Sequence, residues 1–180
     1  MTMIEMVVEG IGIDPRNQPL VLLRDEGRKT FVPIWIGPAE AVSIQWELDN
    51  RQPQRPMTHD LINNIFNELD IHLVKVTVND VSDQIFYATL HLQLGRDGGN
   101  VREVDARPSD AIALALRAHC QILVSDSVAQ KTGIQIEDTE DLANAEAPVP
   151  DSGTPAASND EINRFVKLLE GVDLTGDTDK

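Results

Sequence analysis

The sequence predicts an α+β fold: an antiparallel or mixed sheet with inserted helices, forming a single compact domain followed by a flexible acidic C-terminal tail. Two observations carry this prediction. Strand-length apolar runs lie close together with turn sequences between them, which demands hairpins rather than crossovers. Elsewhere the apolar spacing switches to a helical period, and those segments fall between strands rather than alternating regularly with them.

Met6 to Ile13, Leu20 to Arg24 and Lys29 to Ile36 read as three strands. Asp14-Pro15-Arg16-Asn17 and Asp25-Glu26-Gly27-Arg28 are the turns of an antiparallel meander. Gly37-Pro38 stops the third strand and opens a helix, since proline is tolerated in a first turn. On that helix Glu40, Ser43 and Glu47 share one face, with Ala41, Ile44 and Leu48 on another. A second helix begins at Thr58 and carries Leu61, Ile62, Ile65, Phe66 and Leu69. His72 to Asn79 and Ile85 to Leu94 should pair as a hairpin around Val81-Ser82-Asp83-Gln84. In the second of these, Phe86, Ala88, Leu90, Leu92 and Leu94 alternate with polar residues, so His91 reads as a surface strand residue. Gly95 to Asn100 leads into a strand containing Asp105, and its glycines lack the spacing of a phosphate-cradling loop. A helix after Arg107, a short buried strand Ile122-Leu123-Val124 and a helical turn from Asp126 to Thr132, stopped by Gly133, complete a domain spanning 1–136.

The remainder differs in character. Residues 137–159 are an acidic linker rich in Pro, Ala and Ser, too poor in large apolar residues to fold. Residues 160–180 open on the capping sequence Ser158-Asn159-Asp160-Glu161 and place Ile162, Phe165, Val166 and Leu169 on one stripe. Such a helix needs a surface, on its own domain, a second subunit or another protein. Charge follows the same division: the chain has 15 basic and 30 acidic residues, and 12 of those acids fall in 137–180 against 3 bases. A formal charge of −15 opposes nucleic acid at long range, although Arg51, Arg55, Arg102, Arg107 and Arg117 gather near two helix starts. No run is long enough to span a membrane and Met1 to Glu5 has no basic leader, so a cytoplasmic location with no membrane partner is expected. Cys120 is the lone cysteine, which excludes an intrachain disulfide and reads as a buried thiol.

The chemistry concentrates at those two helix starts. Arg107-Pro108-Ser109-Asp110 crowds charge onto the entrance of an otherwise apolar helix, and Arg55-Pro56-Met57-Thr58-His59-Asp60 nearly repeats the wording. Proline makes the residue before it extended, while Ser109 and Thr58 are placed to cap. Free N–H groups and partial positive charge, with an arginine beside them, suit a phosphate. The same Arg-Asp pairs can equally do no more than lock their turns.

The chain resembles the bifunctional nuclease family, long catalogued in bacteria as a domain of unknown function and also found in plants. The resemblance rests on Phe31-Val32-Pro33-Ile34-Trp35-Ile36-Gly37-Pro38-Ala39-Glu40-Ala41, on Arg55 to Leu61, on Phe86-Tyr87-Ala88 and on Asp105 to Arg117, spanning Met3 to about Ile136. It implies hydrolysis of phosphodiester bonds in RNA or DNA, which needs an activated water, stabilisation of phosphate charge and help for the leaving oxygen. Glu40, Asp60, His59 and Asp110 are the candidate catalytic residues, with His59 as general base. Arg55, Arg107, Ser109 and Thr58 are candidates for substrate binding. A divalent cation such as magnesium or manganese would draw on Asp105 and Asp110. Self-association, with a dimer favoured, is also expected. The alternative is a non-catalytic module that uses its two Arg-Pro helix entrances to bind a phosphorylated ligand or a protein partner.

Overall fold

The computed structural model of the chain describes residues 2–25, 27, 30–95 and 100–135. The linker and the helix expected at 137–159 and 160–180 lie outside the described residues. The elements are β1 (Met3–Ile13), β2 (Pro19–Asp25), β3 (Thr30–Trp35), α1 (Pro38–Leu48), α2 (Thr58–Glu68), β4 (Ile71–Ser82), β5 (Ile85–Leu94), β6 (Val101–Ala106), α3 (Pro108–Ala118), β7 (Gln121–Ser125), α4 (Asp126–Thr132) and β8 (Ile134–Gln135).

All eight strands join one mixed sheet in the order β6-β5-β4-β7-β1-β2-β3-β8, an α+β architecture as expected. Asp14 shapes the β1–β2 turn by accepting the backbone N–H groups of Arg16 and Gln18, with Asn17 at φ 65°. Asp83 and Gln84 both have positive φ, the hairpin geometry that follows the right-handed strand twist from β4 into β5. Every neighbouring pair is antiparallel except β4 and β7, aligned from Lys75↔Gln121 to Val78↔Val124. That parallel pair joins the β4–β5–β6 meander to the β1–β2–β3 meander, because α3 carries the chain back across the sheet between β6 and β7.

α3 lies in the middle of the helical layer and packs against α1, α2, β4, β5 and β7. Its residues Ala111 to Ala115 are buried with Ile44 of α1, Val76 and Val78 of β4 and Val124 of β7. Each large apolar side chain buried there contributes about 1.5–3 kcal/mol, so α3 is held by its flanks and its first turn is free to serve another purpose. His119 ends the helix in the left-handed region, at φ 51°.

Gly133 stops α4 as expected, and two details differ: His91 is not a surface residue, since its side chain is 12% exposed and its Nε2 hydrogen-bonds Thr77 Oγ1 at 3.1 Å, and the helix caps are displaced. Ser109 and Thr58 are not caps: Arg107 and Met57 occupy the N-cap positions, with Ser109 second in its helix and Thr58 first. Asp60 explains the shift in α2, since its carboxylate accepts the Met57 N–H at 2.8 Å and does the work of a cap. Gly133 ends α4 in an extended conformation, and glycine is needed there because a Cβ would meet the Ala129 carbonyl oxygen at 2.2 Å. Among the described residues no helix is long and apolar enough to cross a membrane.

Candidate functional site

Three helices converge on one polar network. Glu40 is the third residue of α1, His59 and Asp60 are the second and third of α2, and Asp110 is the third of α3. Each acid thus sits in a first turn, where unpaired N–H groups and the helix dipole favour a carboxylate. Gly37 lets the Glu40 side chain fold back over the start of α1, since a Cβ at that position would lie 2.3 Å from Oε2.

The network runs from the buried interior to the surface. Arg117, whose side chain is 5% exposed, donates from Nε to Asp60 at 2.5 Å and from Nη2 to Ser43 Oγ at 3.1 Å. Ser43 Oγ lies 2.9 Å from His59 Nδ1, and His59 Nε2 lies 3.1 Å from Asp110 Oδ1. Because an ionised Asp110 can only accept, Nε2 carries a proton, and with a neutral ring Nδ1 accepts from the Ser43 hydroxyl. Arg107 closes the chain, donating to Asp110 at 2.8 and 3.0 Å and to Glu40 at 2.7 Å.

Electrostatics support these assignments. Burial alone would raise the carboxyl of Asp110, but hydrogen bonds from Arg107 and His59 outweigh it and hold the group below its ordinary 3.8. Asp60 behaves alike: burial raises it, and the Arg117 hydrogen bond with the Met57 N–H pulls it below the same value. The Arg107 guanidinium is pushed upward, chiefly by its hydrogen bonds to Asp110 and then Glu40. Glu40, Asp110, Asp60 and Glu47 outnumber Arg107 and Arg117, so the cluster is net acidic rather than a positive patch.

Only one side of the network is open. The Arg107 side chain is 67% exposed, and its Nη1 group has no partner among the described residues. Ser109 is 6% exposed, and its hydroxyl likewise makes no hydrogen bond with a described residue. Both line an open cleft of about 540 Å³, which Trp35, Gln84 and Phe86 also line. His59 is 6% exposed with both ring nitrogens engaged.

The structure therefore gathers Glu40, His59, Asp60, Arg107 and Asp110 into one network, with Ser109 beside it. Arg55 and Thr58 do not join it: both are exposed, and neither side chain has a partner among the described residues. Asp105 is exposed on β6 opposite Thr89, outside the network. Among the described residues no group of three or more His, Cys, Asp or Glu is gathered to hold a metal ion. Cys120 is half-buried, and burial pushes its thiol up to about 11. Ser43 and Arg117 are the functional residues that sequence reasoning missed. The signal was present: Ser43 shares a helix face with Glu40 and Glu47, and Arg117 lies two turns beyond Asp110.

Comparison with known proteins adds the context of relatives. The bifunctional nuclease domain family matches residues 21–137. A protein of Mycobacterium tuberculosis (strain ATCC 25618 / H37Rv), described as uncharacterized, is 36% identical over 169 residues, covering 93% of this chain and 94% of the relative. Bifunctional nuclease 2 of Arabidopsis thaliana is 24% identical over 169 residues, covering 87% of this chain and 50% of the relative. Bifunctional nuclease 1 of the same plant is 23% identical over 164 residues, covering 86% and 50%. The chain thus spans about half the length of these plant relatives.

Proposed function

This chain belongs to the bifunctional nuclease domain family, and we propose that it is a nuclease-like hydrolase of phosphodiester bonds in RNA or DNA, working at the start of α3. The observation that carries the reading is the pairing on one open cleft of two donors without a partner among the described residues, Arg107 Nη1 and the Ser109 hydroxyl; Glu40 and Asp110 do not line the cleft and connect to it through Arg107. A phosphate there would take hydrogen bonds from both donors and from the unpaired N–H groups of the first helical turn.

In this reading the carboxylates divide the work. Both oxygens of Asp110 are engaged by Arg107 and His59, so Asp110 aims the guanidinium at the phosphate. Glu40 gives only one oxygen to Arg107, and its Oε2 makes no hydrogen bond with a described residue, which leaves it to take the proton of an attacking water. His59 is a positioning residue, since it connects to the cleft through Asp110 and then Arg107. The residues here do not fit a magnesium or manganese ion: both oxygens of Asp110 are engaged, Glu40 is paired with Arg107, and no third ligand is gathered among the described residues. Asp60 and Arg117 anchor α2 to α3 from below.

One observation favours the second reading in the form of a non-catalytic module that binds a protein partner: the net acidity of the cluster weakens its hold on any anion, nucleic acid included. Cleavage separates the two. Labelled single-stranded RNA and duplex DNA are incubated with magnesium, manganese or chelator and with wild type or Glu40→Gln, checked for equal folding. The hydrolase reading expects wild-type cleavage and a loss of about 100-fold or more in Glu40→Gln. No cleavage by wild type, or undiminished cleavage by the variant, would overturn it.

A further inference from the structure

The cleft beside Arg107 has a second chemical character that phosphate binding leaves unused. Trp35, at the end of β3, and Phe86, near the start of β5, are half-buried and line the cleft together with Gln84 and the exposed Ile85. Trp35, Gln84 and Phe86 also line an adjoining hollow of about 290 Å³ that ends at Lys131. The two aromatic side chains line both hollows, one of which includes Arg107 and the other Lys131, itself paired with Asp80 at 3.5 Å. Trp35 is fixed by its indole N–H, which donates to Asp14 at 3.1 Å, and the Asp83-Gln84 turn fixes the approach of Phe86.

We infer that this groove receives an unpaired nucleotide, its base stacked on Trp35 and Phe86 and its phosphate on Arg107 and Ser109, so that the substrate is a single strand rather than a duplex. The inference rests on the hydrolase reading above and narrows its substrate. Its physical basis is that every base offers a π face to an aromatic side chain, a contact of about 1–3 kcal/mol per base, with no need of sequence recognition. At about 540 Å³ the cleft is the size of a small-ligand site and takes one nucleotide. A duplex keeps its bases inside the stack, so it can bring only its backbone to Arg107. Stacking also answers the acidity of the protein, because it draws affinity from apolar contact where charge attraction is weak.

The test uses the only two tryptophans of the chain. Trp46→Phe leaves Trp35 as the sole indole reporter, and its emission is followed during titration with a 12-nucleotide oligothymidylate or the corresponding duplex, alongside anisotropy of a fluorescein label. Quenching of Trp35 by the single strand is expected, with binding at least tenfold tighter than to the duplex. Phe86→Leu keeps apolar volume and removes the aromatic face, so it should weaken single-strand binding about tenfold, in the lower part of the stacking range. Ile85→Asp, at an exposed position that leaves the core untouched, should weaken it as well. Equal affinity for single strand and duplex, or binding unchanged in both folded variants, would overturn the inference. Cleavage of the same oligonucleotides is read in parallel: cleavage without Trp35 quenching overturns the groove alone, and quenching without cleavage overturns the hydrolase reading alone.

Discussion

α2 and α3 begin with nearly the same word, Arg-Pro followed within a few residues by a hydroxyl and an aspartate, yet the α3 arginine joins the polar network and lines the open cleft while the α2 arginine is exposed outside the network. Proline placement makes the difference. In α3 the proline is the first helical residue, so Arg107 is the N-cap and reaches Asp110 three residues on. In α2 the helix starts two residues after the proline, which leaves Arg55 outside the turn and exposed. Asp60 then takes its cation from Arg117, a partner 57 positions away. One acid position, third in the helix, thus serves an exposed pair in α3 and a buried pair in α2. A local sequence repeat fixes where the charges start, and the packing of the helices decides which partner each one meets.

Stability should separate the two pairs most sharply. Arg117→Ala removes the buried partner of the half-buried Asp60, and urea unfolding should show a loss of about 3 kcal/mol, the low end for a buried pair. Arg107→Ala removes an exposed pair and should cost about 1 kcal/mol or less. Equal losses would break the comparison.

Acid should sharpen it further. Both aspartates have folded pKa values held below 3.8, so their contribution is present above that pH and is lost as pH falls through the folded values. These two aspartates should therefore cost stability below about pH 4, apart from a separate loss as pH falls through about 6.5, where His91, held below 6.5 by burial, resists protonation in the folded state. Asp60→Asn should flatten that acid limb more than Asp110→Asn, because its arginine is the buried one. A steeper limb in either variant would contradict the assignment.

Much of this was legible in the residues, and the failures have physical causes. The meander, the β4–β5 hairpin and α4 followed from turn chemistry and period, since those signals are local. The β4–β7 pairing and β8 were not legible, because a parallel register between distant segments leaves no local mark. Glu40, His59, Asp110 and Arg107 were legible as charged residues at helix starts. Arg55 and Thr58 were chosen on the same signal and lie apart from the network, because the repeated word hides a two-residue offset of the helix start. Ser43 read only as a residue sharing a helix face with Glu40 and Glu47, and its partner Arg117 comes from a distant helix, α3.

The most direct measurement compares cleavage of labelled single-stranded RNA by wild type, Arg107→Ala and Arg55→Ala, each purified identically and matched for folding. Removing a phosphate donor from a working site costs about 100-fold or more, so Arg107→Ala should be nearly inactive while Arg55→Ala stays within about twofold of wild type. Loss in Arg55→Ala with Arg107→Ala unharmed would move the site to α2 and contradict the account.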